Sequence, residues 1–583
     1  VSEPSTLAEI LLRRAATQGE RIAYTFLADG AENAQSITWA QLHRRAAAMA
    51  CTLMQHRVGA QPVMLALPPG LSFIESLFGC WYAGVIAVPV SLPRHQRVKH
   101  RLDRIVQNAG ARFAIGSSQT RDRLTAGEGE GALCGQMTWI APPPGSNPAS
   151  DTDPTLALPE STAPAVLQYT SGSTGSPRGV IVTHANLMAN SALIAQACDH
   201  TDASTIGGWL PLFHDMGLVG LVLQAAFTGA RCVLMPPERF LMRPWLWLKM
   251  ICDHRIQSSP APNFGYDLCV DRVTAQHAAG LDLSCWHNAL NGSEPVRAST
   301  LQRFASAFAG CGFDARAFFP CYGLAEATLL VTGPGPMRFR RWSRRTAAGL
   351  PLFDNSTGGH VACGHTFGDT NIEIVDHHTR RPATPGTVGE IWVRGPSCAQ
   401  GYWRDAPATA ATFAARLDAD ESASTASASA ARWLRTGDLG FIAGGELFIT
   451  GRLRDLIIIA GRNHFPVDLE QTAESADPSL APGGVAAFSV DDAGVERLVI
   501  VAEIRRPADR SLASPLNAQS ICQRIRAAVA AEHEITPADL VLLRPGGVPR
   551  TTSGKISRAA SRDAYLGGTL DRLQEEPAHA SHQ

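Results

Sequence analysis

Between residues 62 and 116 the chain alternates short apolar runs with helical stretches, and that alternation leaves few folds open. Pro62-Val63-Met64-Leu65-Ala66-Leu67 reads as a strand. A helix follows from about 70, then a strand near 85–90, a basic helix over 97–109 and a strand over 112–116. Wholly apolar strands separated by helices belong in a parallel sheet covered on both faces. The longest apolar run, Leu77 to Val90, is too short to span a bilayer and reads as a buried helix followed by a strand. Upstream, 6–18 and 39–57 read as amphipathic helices, the second with Leu42, Ala46, Met49 and Leu53 at helical spacing behind a Thr38 cap. A chain of 583 residues, 45% of them hydrophobic, can bury more than one core.

Charge and cysteine content narrow the function. Lys+Arg number 51 and Asp+Glu 52, so no global basic field supports a nucleic-acid partner, and anionic ligands must be met locally. The cluster Arg94, Arg97, Lys99, Arg101 and Arg104 reads as a solvated helix face. Thirteen cysteines without a CxxC pair point to reduced thiols in a cytoplasmic protein, with no obvious zinc site. Val1-Ser2-Glu3-Pro4 has neither the basic nor the apolar region of a signal peptide. Residues 118–163 read as a surface connector, and 418–432 as a mobile Ala/Ser-rich stretch.

The chemistry concentrates where apolar runs end. Leu167 to Thr170 feeds Ser171-Gly172-Ser173-Thr174-Gly175-Ser176, which Arg178 closes. Glycines, hydroxyls and successive N–H groups suit a phosphate, although the Gly-Lys-Ser/Thr ending of a Walker loop is missing; a plain surface turn is the other reading. His214-Asp215 sits in a Pro/Gly-bounded loop and is either a turn or a polar pair at a site. Gln257 to Tyr266, with Asn263, Phe264 and Tyr266, either lines an apolar pocket or forms a loop-to-helix corner. Gly292-Ser293-Glu294 and Tyr322-Gly323-Leu324-Ala325-Glu326 each follow a strand, where α/β folds place ligand groups. Glu326 also suits the first turn of a helix. Residues 371–376 and 389–395 alternate as half-buried strands of a smaller β-rich part. Thr436-Gly437-Asp438, Gly451-Arg452-Leu453-Arg454-Asp455 and Ser553-Gly554-Lys555 complete the series.

In this order, the segments resemble the adenylate-forming superfamily of acyl-CoA synthetases, adenylation domains and luciferases. Trp209 to Leu218, Pro262 to Cys269, Ser293 to Arg297 and Gly461-Arg462-Asn463-His464-Phe465-Pro466 are most similar to fatty acyl-AMP ligases. The resemblance implies an α/β fold: a large N-terminal domain over 1–453, of two α/β layers plus a distorted β-barrel subdomain, and a small mobile α+β lid over 454–567. It also implies an insertion near 337–360, and 568–583 reads as a polar tail or linker. Arg178 stands where many relatives have Lys, keeping the charge as a planar fork.

The implied reaction converts a fatty acid and ATP into acyl-adenylate and pyrophosphate, followed by transfer to the phosphopantetheine thiol of an acyl carrier protein. By resemblance, Thr170, Ser171, Gly172, Ser173, Thr174 and Gly175 cradle the β- and γ-phosphates, while Thr174 and Glu326 hold Mg²⁺. Tyr322 and Gly323 face adenine, with Gly292, Ser293 and Glu294 at the pocket edge. Asp438 binds the ribose hydroxyls, Arg452 adds a cation near them, and Lys555 bridges the carboxylate and α-phosphate. Arg454 marks the hinge, and His214 lines or gates the acyl pocket with Asn263, Phe264 and Tyr266. The carrier protein is expected on a separate chain or a downstream domain, as in a loading module for polyketide or peptide lipid synthesis. An acyl-CoA ligase and an inactive nucleotide-binding scaffold are the alternatives.

Overall fold

The computed structural model describes residues 3–30, 33–92, 96–125, 133–143, 156–170, 177–336, 360–418, 432–459, 462–492, 495–505, 517–551 and 554–573. The chain divides into two compact units, Val1–Thr436 with Phe441–Phe448, and Gly437–Gly440 with Ile449–Gln583.

In the first unit, helices α1 (Leu7–Gln18) and α2 (Trp39–Gln55) both begin with capping boxes. The hydroxyls of Thr6 and Thr38 accept from the N3 backbone N–H, and the side chains of Glu9 and Gln41 accept from the cap N–H in return. Strands β1 (Ile22–Leu27) and β2 (Ala34–Thr38) pair antiparallel between them. Strands β3 (Pro62–Leu65), β4 (Ile86–Pro89) and β5 (Phe113–Ile115) then alternate with α3 (Leu71–Tyr82) and α4 (Gln96–Ala109), as the hydropathy pattern requires. The supposed connector over 118–163 needs correction. It contains helix α5 (Ser118–Thr125) and strand β6 (Thr138–Ile140), which pairs in parallel with β5. A three-residue strand is too short to show a period, so only its place beside β5 reveals it. Strands β7 (Pro164–Thr170) and β8 (Arg178–Thr183) finish this sheet as an antiparallel hairpin, giving the order β6-β5-β3-β4-β7-β8.

Helix α6 (His184–Cys198), capped by Thr183, leads to the second layer. Strands β9 (Thr205–Gly208), β10 (Arg231–Leu234), β11 (Ser258–Ala261), β12 (Asn288–Asn291) and β13 (Phe318–Pro320) join the first two strands in the order β13-β12-β11-β9-β10-β1-β2. All pairs are parallel except β1 with β2. Helices α7 (Asn263–Arg272) and α8 (Ala298–Phe308) cross over beside it. Between them, Trp247, Tyr266, Trp286 and Phe304 are fully buried and meet edge to face. Strands β14 (Tyr322–Gly323) and β15 (Leu330–Thr332) form a small antiparallel pair.

The expected barrel-like part is, among the described residues, a four-stranded sheet of β16 (Asn371–Val375), β17 (Gly389–Arg394), β18 (Leu434–Ala443) and β19 (Glu446–Arg452) in sequence order. The half-buried alternation expected at 389–395 is absent: β17 is buried from Gly389 to Val393, so both its faces are covered. The expected insertion lies outside the described residues over 337–359, as do 419–431 of the Ala/Ser-rich stretch and the tail from 574. Among the described residues no helix is long and apolar enough to cross a membrane.

In the second unit, β20 (Ile457–Ile459) and β21 (Arg462–His464) make a hairpin ahead of helix α9 (Pro466–Ser475). Strands β22 (Leu480–Asp492), β23 (Val495–Ile504) and β24 (Asp539–Leu543) follow, with helix α10 (Ala518–His533) before the last strand and α11 (Arg558–Leu566) after it. Alternate residues of this sheet face opposite sides. Val485, Ala487, Leu498 and Ile500 pack with Leu469 and Ile525 on one face, and Ala486, Phe488, Val499 and Val541 pack with Tyr565 on the other.

Candidate functional site

The Ser/Gly/Thr segment joins the two strands of a hairpin. Thr170 at the end of β7 is opposite Arg178 at the start of β8, which fixes both ends of the loop. Ser171, Gly172, Ser173, Thr174 and Gly175 themselves lie outside the described residues. At the base, the Arg178 guanidinium sits over the ring of Tyr402, 5.3 Å from its centroid, with Asp405 4.0 Å away. The Tyr402 hydroxyl donates to Glu326 Oε1 at 2.9 Å. Burial first, and then the Glu326 carboxylate, push this phenol well above its ordinary range, so it stays a neutral donor. Backbone contacts hold the group together: Ile181 N–H donates to Gly401 O, Trp403 N–H to Gly179 O, and Ala399 N–H to Glu326 O. Tyr402 was not singled out in the sequence, because Gly401-Tyr402-Trp403 has no period and gains meaning only from lying beside β8.

Two of the candidate turns share one end of the sheet. Asn291 of β12 is in register with Pro320 of β13, so Gly292-Ser293-Glu294 and Tyr322-Gly323 both emerge at carboxyl ends of adjacent parallel strands. Ser293 has φ +74° and Thr328 φ +70°, unusual values for residues with a Cβ, and such strain persists only where surrounding contacts impose it. Thr328 Oγ1 donates to Ser397 O at 2.7 Å, and Glu294 Oε1 accepts from Asn263 N–H at 3.0 Å. Glu326 lies on a short 3₁₀ turn, Ala325–Ala327, in the segment that leaves this edge. A Cβ on Gly323 would lie 1.8 Å from Leu329 O. Gly323→Ala is therefore expected to cost about 1–3 kcal/mol by overpacking against backbone. Gly135→Ala, with nothing within 4 Å, should leave stability unchanged. Urea unfolding of the two variants checks this, and equal midpoints would show that the turn can give way.

An apolar cavity opens beside these turns. Gly292, Ser293, Tyr322 and Gly323 line one end, and Asp215 and Met216 adjoin them. Ile194, Ile206, Leu290 and Leu329 make the walls. Gly220, on the π-helical segment Leu218–Leu223, also faces the cavity, and such segments recur at functional sites. His214 caps the turn Asp215–Gly217, with Nδ1 2.7 Å from Asp215 Oδ1; its two successors, not His214 itself, are in the lining.

Three residues expected to line an acyl pocket are not among those lining this cavity. Tyr266 is fully buried in the aromatic core and donates to Leu290 O at 2.9 Å. Phe264 meets Trp209 edge to face. Asn263, also fully buried, clamps the segment around Gly292–Glu294, donating to Pro295 O while its Oδ1 accepts from Asn291 Nδ2 and Arg297 N–H. Ser258 and Pro260 of β11 line the cavity.

In the second unit, Asp438 is 5% exposed and Arg452 Nε lies 2.8 Å from its Oδ1. Arg454 lies in the 3₁₀ turn Leu453–Asp455, its Nε 3.3 Å from Asp455. Burial, then the charge of Arg452, hold its guanidinium below the ordinary arginine range. Lys555 follows a tight turn in which Thr551 N–H donates to Lys555 O and Lys555 N–H to Thr551 Oγ1. Gly554 has φ +85°, the left-handed geometry this turn needs. Thr552 and Ser553 lie outside the described residues.

Two α/β layers and an aromatic turn beside an apolar cavity are the architecture of an adenylate-forming enzyme. Comparison with known proteins agrees. Residues 11–403 match the AMP-binding enzyme family, and 454–575 match the AMP domain of Disco-interacting protein 2-like proteins. The medium-chain-fatty-acid–[acyl-carrier-protein] ligase JamA of Moorena producens is 39% identical over 98% of this chain and 97% of its own. The ligase TtuA of Teredinibacter turnerae, with the same description, is 34% identical over 96% and 94%. A solved fatty acyl-adenylate ligase from Legionella pneumophila, in complex with acyl adenylate and pyrophosphate, superposes with a TM-score of 0.70 at 33% identity, covering 97% of this chain and 96% of that one. The chain belongs to the AMP-binding enzymes and, within them, to the fatty acyl-AMP ligases.

Proposed function

We propose that this enzyme joins a fatty acid to AMP and then delivers the acyl group to the phosphopantetheine thiol of a holo acyl carrier protein in the cytoplasm. The observation that carries this reading is the apolar cavity ending at the Gly292–Ser293 and Tyr322–Gly323 turns, where a lipid chain and a nucleotide would meet. The carrier protein is supported by JamA and TtuA, which are described as acyl-carrier-protein ligases.

In the first step a carboxylate oxygen attacks the α-phosphorus of ATP, and the bond to the bridging β-phosphate oxygen breaks to release pyrophosphate. Oxide is a poor leaving group and AMP a better one, so the step makes the acyl carbon transferable. Two anions must approach, which calls for positioning and neutralisation more than for acid–base chemistry. Thr170 and Ser171 to Gly175 would cradle the β- and γ-phosphates, with Arg178 shaping the loop base through Tyr402 and Asp405 rather than gripping phosphate itself. Tyr322 would stack on adenine, Gly292, Ser293 and Glu294 would border it, and Asp438, oriented by Arg452, would accept from the ribose hydroxyls. Lys555 would neutralise charge between carboxylate and α-phosphate, and Arg454 would be the hinge that brings it. Glu326 and Thr174 offer the hard oxygen atoms that suit Mg²⁺, which when bound would neutralise phosphate charge. In the second step the thiol sulfur attacks the acyl carbonyl, AMP leaves, and a thioester forms.

Mass spectrometry of products from enzyme, ATP, mixed fatty acids and either holo carrier protein or coenzyme A tests the proposal. Acyl-adenylate with acylated carrier protein is expected. Acyl-CoA without acylated carrier would overturn the choice of thiol, and no acyl-adenylate from any acid would leave a binding scaffold.

A further inference from the structure

The cavity is apolar along its walls and polar at the end away from the ligand turns. Ser258, first residue of β11, is in register with Asn288, first residue of β12, while Gly292 lies four residues further along the same direction. At about 3.3 Å per residue the two ends are ~13 Å apart. That matches roughly ten carbons of extended chain, given C–C bonds of about 1.5 Å arranged in a zigzag.

At this far end His200 Nε2 lies 2.7 Å from Ser258 Oγ, and both residues line the cavity. Asn288 Nδ2 donates to Ser258 Oγ at 2.8 Å. The Gln224 amide is satisfied when its nitrogen donates to Ser191 O at 3.1 Å and its oxygen accepts from Ala195 N–H at 3.3 Å. That orientation turns the Gln224 oxygen toward His200 Nδ1, 3.4 Å away. The proton positions follow: Nδ1–H donates to Gln224, and Nε2 accepts from the Ser258 hydroxyl. Burial pushes the imidazole down to about 4, in keeping with a neutral ring. Ser258 Oγ uses its proton on His200 and one lone pair on Asn288, which leaves a second lone pair as acceptor.

We infer that the His200–Ser258 floor receives the far end of the acyl chain and selects an acid of roughly ten carbons with a hydroxyl at its ω end. This rests on the adenylation reading above. A terminal methyl would cover the Ser258 acceptor without pairing it, whereas a terminal hydroxyl donates to it; sites built around a hydrogen bond reject the analogue that lacks it.

The test compares 10-hydroxydecanoate with decanoate by kcat/KM for acyl-adenylate formation. The native enzyme is expected to favour the hydroxy acid about three- to tenfold, the worth of one neutral hydrogen bond. In Ser258→Ala the ratio should fall to one or below; a merely structural defect would lower both rates and leave the ratio. Equal kcat/KM values in the native enzyme, or a ratio untouched by Ser258→Ala, would overturn the inference alone. Adenylation of neither acid nor any other would overturn the parent reading, and this one with it.

Discussion

Replacing Lys555 with alanine is expected to slow fatty-acid-dependent pyrophosphate exchange by about 10²–10³-fold while ATP still binds, since a cation aimed at developing charge acts mainly in the transition state. The local structure makes this a clean experiment. The turn is held by the backbone of Lys555, through Thr551 N–H and Thr551 Oγ1, and by Arg550 Nη1 donating to Gly554 O at 3.2 Å. These bonds use the backbone of Lys555 and Gly554, so the turn itself should persist in the variant. Pyrophosphate exchange at the native rate in Lys555→Ala would reject the proposed role outright.

The opposite behaviour is expected three residues later. Arg558 grips Glu470 with two parallel bonds, Nε to Oε1 and Nη2 to Oε2, both 2.7 Å, and its Nη1 reaches Asp455 Oδ2 at 3.2 Å. It thereby ties the start of α11 to α9 and to the turn Leu453–Asp455. Burial works against the charged guanidinium, but the two carboxylates outweigh it and hold the group above its ordinary range. Removing Arg558 leaves the largely buried Glu470 carboxylate without its counter-charge, while Asp455 keeps Arg454. Arg558→Ala should therefore cost about 3 kcal/mol or more of the second unit's stability. Arg558→Lys should recover only part of this, because an ammonium cannot make the paired bonds. Calorimetry or urea unfolding resolves the change, and a loss below about 0.5 kcal/mol, the size of an exposed pair, would show the cluster to be solvated.

Much of the architecture was legible because it rests on local rules. Thr38 caps α2 where apolar spacing begins, and the wholly apolar runs at 62–65 and 86–89 pair as parallel strands inside a sheet. What escaped were features whose cause lies far away in the chain. Strand β6 has too few residues to carry a period, and Tyr402 acquires its role only because β8 passes beside it and Glu326 comes within reach. Asn263 and Tyr266 have the composition of pocket residues, yet α7 turns both inward, one to hold the Gly292–Glu294 turn and the other into the aromatic core.

The sequence alone determined the alternation of strand and helix and the motifs that end those strands, because spacing, capping and turn chemistry act within a few residues; the family followed from the resemblance carried by the order of those motifs. Strand order was decided only in three dimensions, and with it the meeting of Tyr322 and Gly292 at one edge and the polar floor of His200 and Ser258 beneath an apolar cavity. Neighbours in a parallel sheet lie tens of residues apart in the chain, so no local pattern encodes which side chains face each other across the cavity they enclose.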